Sequence, residues 1–178
     1  ALPKWFLQAV SKEFSIDRSC ITLCSGDKYD AFYYSNAKYN HDDEFKLTYV
    51  YNISPSVESE SVICFDSVEP VIQNDNITGI SRTSIRSILE IPDIESIVIQ
   101  YNSFVSCSGQ SILYFKNFKG EIRNCNFADN RAAKNLIHFG STGSGLKICF
   151  CCFMRDDSKA YVDTYSQFLD CVFDHPYD

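Results

Sequence analysis

An interval of five residues between two large apolar side chains recurs along the chain and restricts the folds open to it. In "IRNCNF" the interval separates Ile122 from Phe127, and it returns in "IQYNSF", "ICFCCF" and "FLDCVF". Weaker copies upstream run from Ile72 to Ile77, from Thr48 to Ile53, and in "SCITLC" to Cys24. The last residues of these frames lie 20 to 29 residues apart, and a period in the twenties is typical of solenoid proteins.

A second strand-like run follows each frame except the last. The runs "AFYYS", "SVICF", "SILEI", "SILYF", "LIHF" and "AYVDTY" are rich in β-branched and aromatic residues, and polar turns such as "ADNRAAKN" separate them from the frames. A leucine-rich repeat shares the period but requires a leucine consensus that is missing here. A β-sandwich also has short strands, but it has no reason to repeat one apolar interval at a near-constant period.

These features predict an all-β fold, a right-handed parallel β-helix of about seven coils. Corresponding strands then stack about 4.8 Å apart, so that like residues form ladders through the core. One predicted ladder contains Ile99, Ile122, Ile148 and Phe168, and another contains Phe104, Phe127, Phe153 and Phe173. A third contains Cys125, Cys151 and Cys171, with Asn102 at the equivalent position of the coil before.

The nine cysteines are interpreted mainly as buried free thiols. Their number is odd, and a chain of 178 residues can bury a core without disulfides. A zinc site at Cys149, Cys151 and Cys152 with His138 or His175 is disfavoured, because adjacent cysteines rarely converge on one tetrahedral centre. We therefore expect no metal and no other cofactor.

The ends of the chain predict a separate N-terminal element. Residues 1–18 contain Pro3, where a helix can begin, and apolar residues near a helical spacing, so a short amphipathic helix is expected to cap the open end of the coil stack. Residues 19–178 form the predicted β-helix. Pro176 either ends the stack, or the coils continue beyond Asp178 in a longer protein.

The acidic charge restricts the partners. The net charge of −7 and a pI near 4.9 disfavour nucleic-acid backbones and anionic membranes, and the apolar runs are too short to span a bilayer. The expected partner is a protein or carbohydrate surface, or further coils of the same chain.

The repeat resembles known families. The frame I-x-x-[N/C]-x-F with Asn- and Asp-rich turns is similar to the repeats of right-handed β-helix proteins, most clearly over residues 97–173. The C-x-F pattern, with F-x-x-N from Phe127 to Asn130, resembles the polymorphic-membrane-protein-like surface proteins of trichomonad protists, although their G-G-A-[ILV] motif is absent. The resemblance implies a non-catalytic adhesive or architectural role at a cell surface.

A polysaccharide lyase or glycoside hydrolase is the alternative. Candidate carboxylates are Asp42, Asp43 and Glu44, and Asp156 with Asp157 beside Arg155. Glycoside hydrolysis requires two carboxylates on either side of the scissile bond, and these acids fall in stretches where turn chemistry alone favours Asp. We therefore predict no enzyme activity.

Two sequons bear on the compartment. Asn52-Ile53-Ser54 and Asn76-Ile77-Thr78 fit N-x-[ST], and both asparagines precede a frame end by one residue. They predict N-glycans at equivalent positions of adjacent coils of an extracellular or cell-surface protein. An intracellular structural scaffold is the second alternative, because the odd cysteine count also suits a reducing compartment.

Overall fold

The chain forms a parallel β-solenoid. The computed structural model describes residues 7–9, 15–22, 33–37, 44–46, 48–51, 61–67, 71–81, 84–140, 146–162 and 166–174. All elements within these ranges are β-strands or turns, and every strand pair among them is parallel. The predicted all-β solenoid is confirmed, whereas its right-handedness stays a prediction.

The strands define three faces, and two long strands bend from the first face into the second. The first face contains Leu7–Ala9, Tyr33–Ala37, Ser61–Ser67, the first halves of Ser87–Gln100 and Ser111–Arg123, Asn135–Phe139 and Ala160–Val162. The second face contains Ser15–Asp17, Glu44–Lys46, Val71–Gln73, the second halves of the two long strands, Leu146–Cys149 and Ser166–Leu169. The third face contains Cys20–Thr22, Tyr49–Tyr51, Asn76–Thr78, Ser103–Val105, Asn126–Ala128, Cys152–Met154 and Val172–Phe173. A two-stranded ladder of Ser108–Gly109 and Arg131–Ala132 follows the third face.

The number of coils differs from the prediction. The ladders of the first and third faces each pass through seven strands, but about three turns are described. A turn is complete only where the strands of all three faces and the corners between them are described. In the other turns, some of the segments that connect the strands lie outside the described residues. The predicted count of about seven coils is therefore corrected to about three.

The predicted N-terminal helix over residues 1–18 is not shown. Leu7–Ala9 pairs with Tyr33–Ala37, and Ser15–Asp17 pairs with Glu44–Lys46, so the described parts of this segment are strands. Helical spacing over a short segment is a weak signal, and pairing to a neighbouring strand overrides it. The other residues of 1–18 lie outside the described residues, and the boundary at residue 18 stays a prediction.

The core is a set of ladders in strict register. The second face aligns Ile99 with Ile122, Ile148 and Phe168 in succession. The third face aligns Phe104, Phe127, Phe153 and Phe173. Their rings stack with centroids 5.0 to 5.2 Å apart and planes within 9° of parallel. Such aromatic pairs add about 0.5–1.5 kcal/mol each beyond the burial of their area.

The upstream frame from Ile72 to Ile77 keeps its predicted register, but the two frames before it are displaced. Val50 pairs with Ile77, and Ile21 pairs with Val50, so the frames end at Val50 and Ile21. The predicted ends, Ile53 and Cys24, lie three residues further along and outside the described residues. The five-residue interval survives in the corrected register, as "FKLTYV" and "IDRSCI".

Left-handed residues make the corners between faces. The corner before the third face has positive φ, between 49° and 60°, at Arg18, Asn74, Tyr101, Asn124, Phe150 and Asp170. The corner after it has positive φ at Gly79, Ser106, Asp129 and Arg155. Asn, Asp and Gly adopt this conformation more readily than other residues, and they occupy five of these ten positions.

Candidate functional site

The residue that directly precedes each third-face strand belongs to a column, which we call the first corner column. Its members are Ser19, Thr48, Asp75, Asn102, Cys125, Cys151 and Cys171. The amide of Thr48 donates to Asp75 Oδ1 at 2.9 Å, and the amide of Asp75 donates to Asn102 Oδ1 at 2.9 Å. Asn102 Nδ2 donates to the carbonyl of Ile72 at 3.1 Å. Each turn thus satisfies buried backbone groups of the turn before it.

Asp75 is the exceptional member of this column. Its side chain is buried, and Oδ2 has no hydrogen-bond partner among the described residues. Burial raises the pKa of Asp75 to about 8, although the hydrogen bond from the Thr48 amide opposes the shift. A protonated carboxyl there carries a donor, as the amide of Asn102 does one turn later.

Thiols replace the polar side chains further along the column. Cys125, Cys151 and Cys171 each donate to a backbone carbonyl of the preceding turn, at 3.3 to 3.7 Å. The pKa of Cys151 is raised by the thiol of Cys125 and by burial. All eight described cysteines are free thiols, and the ninth, Cys24, lies outside the described residues.

A second corner column follows the third face and contains Ile80, Cys107, Asn130 and Asp156. Asn130 Oδ1 accepts from the Cys107 amide at 3.0 Å, and Nδ2 donates to the Phe104 carbonyl at 2.9 Å. Asp156 Oδ1 accepts from the Asn130 amide at 3.0 Å. Burial raises the pKa of Asp156 to about 6. The motif F-x-x-N, noticed in the sequence at Asn130, thus belongs to a buried structural ladder.

The first face carries a pocket of about 490 Å³ that is open to solvent. Its lining residues are Arg86, Glu90, Gln110, Tyr114, Lys116, Lys134 and His138. Three of them occupy one row, because strand register places Glu90 beside Tyr114 and Tyr114 beside His138. The volume falls within the usual range of small-molecule sites, about 300–1,000 Å³.

The acidic end of the pocket is held by several contacts. Arg86 Nη1 donates to Glu90 Oε1 at 2.8 Å, and the Ser61 hydroxyl donates to Glu90 Oε2. The Arg86 guanidinium also lies over the Tyr114 ring, 5.2 Å from its centroid. Glu90 is only 6% exposed, so its carboxylate is a buried part of the pocket wall and has little contact with solvent.

Tyr114 and His138 form the aromatic floor of the pocket, and neighbouring groups fix the position of the Tyr114 ring. The rings of Tyr114 and His138 have centroids 5.5 Å apart and planes inclined by 42°. A Cβ at Gly140 would lie 2.2 Å from Tyr114 Oη, so glycine leaves room for this hydroxyl. A larger side chain there would displace the tyrosine from its position in the pocket.

The pocket can be recognised in the sequence only when the first-face strands of successive turns are aligned with one another. In the runs "SILE", "SILY" and "NLIH", the fourth residues are Glu90, Tyr114 and His138. His138, which the sequence offered only as a disfavoured zinc ligand, is half-buried in this row. The signal that was missed is the alignment of three polar residues outside the five-residue frame.

Of the candidate catalytic acids, the structure describes the side chains of Asp156 and Asp157, and these two have different partners. Asp156 lies in the second corner column, whereas Asp157 is exposed and pairs with Arg131 at 3.3 Å. Arg155 is bound by both carboxylate oxygens of Asp129, at 2.6 and 2.7 Å. Asp42 and Asp43 lie outside the described residues, and only the backbone of Glu44 is described.

The register of the third face contradicts the predicted equivalence of the two sequons. Asn76 is exposed at the start of its third-face strand and pairs with Tyr49 of the preceding turn. Asn52 lies outside the described residues, beyond Tyr51. The predicted equivalence is wrong because it depended on the displaced upstream frame.

Comparison with known proteins finds no matching family model, curated protein or solved structure. The resemblance to trichomonad surface proteins therefore has no support from relatives. Within the described part of the chain, no helix is long and apolar enough to cross a membrane. The same residues contain no cluster of three or more His, Cys, Asp or Glu side chains suited to a metal ion.

Proposed function

We propose that this chain is a non-catalytic binding module of a cell-surface protein, in which the rigid solenoid presents the first-face pocket to a partner. The observation that carries the proposal is the in-register row of Glu90, Tyr114 and His138 beside a pocket of about 490 Å³. Directly behind it, Leu89, Leu113 and Ile137 are buried, so the pocket rests on a packed core.

The chemistry of the pocket favours binding over hydrolysis. Among the described residues, its lining contains one carboxylate, that of Glu90, and this group already accepts from Arg86 and Ser61. Both mechanisms of glycoside hydrolysis use two carboxylates at a separation of about 5–10 Å. A polysaccharide lyase or glycoside hydrolase remains the alternative function.

The test separates binding from turnover. The protein is incubated with a panel of neutral and acidic polysaccharides, and both retention and chain cleavage are measured. We expect retention without new reducing ends or unsaturated products, and a loss of retention in Tyr114→Ala. Tyr51→Ala is the matched control, because Tyr51 is an exposed tyrosine on the third face.

Cleavage of any polysaccharide by the purified chain would contradict the non-catalytic proposal. Retention that Tyr114→Ala leaves intact would contradict the location of the site. Circular dichroism of both variants checks that each one folds.

The cellular compartment requires a separate prediction. We expect mass spectrometry of the protein from its native source to find N-glycans at Asn52 and Asn76, with Asn76 exposed on the third face. The second candidate, an intracellular scaffold, is favoured by the eight free cysteines. Unmodified asparagines together with free thiols would decide for that scaffold.

A further inference from the structure

Three thiols occupy successive turns of the first corner column, and their exposure changes along it. Cys125 and Cys151 are buried, whereas Cys171 in the next turn is only partly buried. Of these three thiols, that of Cys171 is therefore the one that a dissolved reagent can reach. The other two are closed to such a reagent but remain neighbours of one another and of the reachable thiol.

Cys151 is the thiol that lies in register with Cys171. Strand pairing aligns Cys152 with Val172, and the Val172 amide donates to the Cys151 carbonyl at 2.9 Å. Cys151 and Cys171, which directly precede these two strands, are thus neighbours in adjacent turns. Stacked strands lie about 4.8 Å apart, which is within the range of about 4.4–6.8 Å between the Cα atoms of a disulfide.

The two sulfur atoms occupy the same place in their turns. Cys171 Sγ donates to the Ile148 carbonyl of the preceding turn at 3.3 Å. Cys151 Sγ donates to the Ile122 carbonyl in the same way, at 3.6 Å. Burial raises the pKa of Cys171, and the nearby Cys151 thiol adds to that shift, so the two thiols are close enough to interact. Thiols are weak donors, so a bond between the sulfur atoms replaces little hydrogen bonding.

The other cysteines of the same turn are not placed to compete. Cys149 aligns with Leu169 on the second face. Cys152 directly precedes Phe153, whose side chain is fully buried, so Cys152 faces away from the core. Neither thiol is in register with Cys171.

We propose that Cys151 and Cys171 form a reversible disulfide when the protein meets a low-molecular-weight disulfide such as oxidised glutathione. The Cys171 thiolate attacks one sulfur of the glutathione disulfide, which releases one glutathione and leaves the other bound to Cys171. The Cys151 thiolate then attacks the Cys171 sulfur and releases the second glutathione. Two protein thiols are oxidised, one glutathione disulfide is reduced, and the two thiol protons end on the two glutathione thiols.

The bond changes the connection between two turns of the solenoid. In the reduced column, S–H donors are the side-chain links between these turns, and oxidation replaces them with a covalent bond that closes a short loop. Closing such a loop removes conformational freedom mainly from the unfolded chain and so stabilises the fold. The first-face pocket takes no part in this chemistry, so the proposal stands or falls separately from the proposed function.

The test is incubation of the reduced whole chain with glutathione disulfide in mildly alkaline buffer. Free thiols are then blocked, and the peptides are mapped by mass spectrometry, with fragmentation to assign the bond among the cysteines of each peptide. We expect a bond between Cys151 and Cys171 that dithiothreitol reverses. The oxidised chain should melt at least about 4 °C above the reduced chain.

Three serine variants separate the two steps. Cys171→Ser should prevent the bond, and Cys151→Ser should stop the reaction with one glutathione still on Cys171. Cys152→Ser is the matched control, because it removes a thiol of the same turn that faces away from the core, and it should leave the bond intact. Circular dichroism checks that each variant folds.

The peptide map of the parent chain decides the proposal without the variants. It is overturned if Cys171 stays reduced, if Cys171 retains glutathione while Cys151 stays free, or if Cys171 is joined to another cysteine. An oxidised chain that melts no higher than the reduced chain would overturn the stabilising role of the bond.

Discussion

Phe127→Asp is expected to abolish the cooperative fold. Phe127 is fully buried and stacks between Phe104 and Phe153, with ring centroids 5.2 and 5.0 Å away. Losing such a ring costs about 3–5 kcal/mol, and an unpaired buried carboxylate costs several more. The sum is comparable to the whole stability of a domain, about 5–15 kcal/mol. Thermal unfolding followed by circular dichroism measures the effect.

The matched control is Asn126→Asp, which introduces the same charge one residue earlier on the same strand. Asn126 is exposed, so we expect the melting temperature of the Asn126→Asp variant to stay close to that of the unmodified chain. Similar melting of the two variants would contradict the register of the third face, since only one of the two positions faces the core.

Asp75→Asn is expected to stabilise the chain at neutral and alkaline pH. The new amide keeps the oxygen that accepts from Thr48 and adds a donor in the place of the unpartnered Oδ2. Asn102 shows the same arrangement one turn later, where its Nδ2 donates to the carbonyl of Ile72. The substitution also removes a carboxylate that is costly to ionise in the core.

The pH dependence follows from the raised pKa of Asp75. Its ordinary value of 3.8 applies to the unfolded chain, and the folded value is about 8, so the folded state holds the proton more tightly. The stability contributed by this proton is complete below pH 3.8 and is lost as the pH rises toward 8. The slope is at most about 1.4 kcal/mol per pH unit.

The measurement is the melting temperature of both chains at pH 5 and pH 8. We expect the difference in favour of Asp75→Asn to grow by at least about 5 °C between these values, because 1 kcal/mol corresponds to about 2–4 °C at this size. Asp157→Asn removes an exposed carboxylate and should change the melting temperature little at either pH. A difference for Asp75→Asn that does not vary with pH would show that the residue is ionised in the fold.

The frames over residues 97–173 can be identified from the sequence because each of them begins and ends with a large apolar residue. Phe104, Phe127 and Phe153 leave one plausible alignment, and it agrees with the register of the third face. Upstream, the frames end at Val50 and Ile21, which are smaller than phenylalanine and have apolar neighbours. Frames that end three residues later, at Ile53 and Cys24, therefore fit the same apolar pattern. Only the pairing of whole strands distinguishes the two alignments.

The first corner column was partly predicted and the pocket was not. Cys125, Cys151 and Cys171 repeat one residue type, whereas Thr48, Asp75 and Asn102 share a role without sharing a chemical type. Glu90, Tyr114 and His138 are still more diverse, because the pocket's row is free of the size limits that govern the core. Periodicity therefore reveals packing better than it reveals function.

The change of chemistry along the first corner column has a mechanical consequence. Amide and carboxyl groups connect the turns around Thr48, Asp75 and Asn102, whereas weaker S–H donors connect those around Cys125, Cys151 and Cys171. A force that pulls the turns apart along the stack acts on these links one after another. The thiol-lined turns should yield at a lower force, so the solenoid would extend from its C-terminal end while the turn that carries Asn102 still resists.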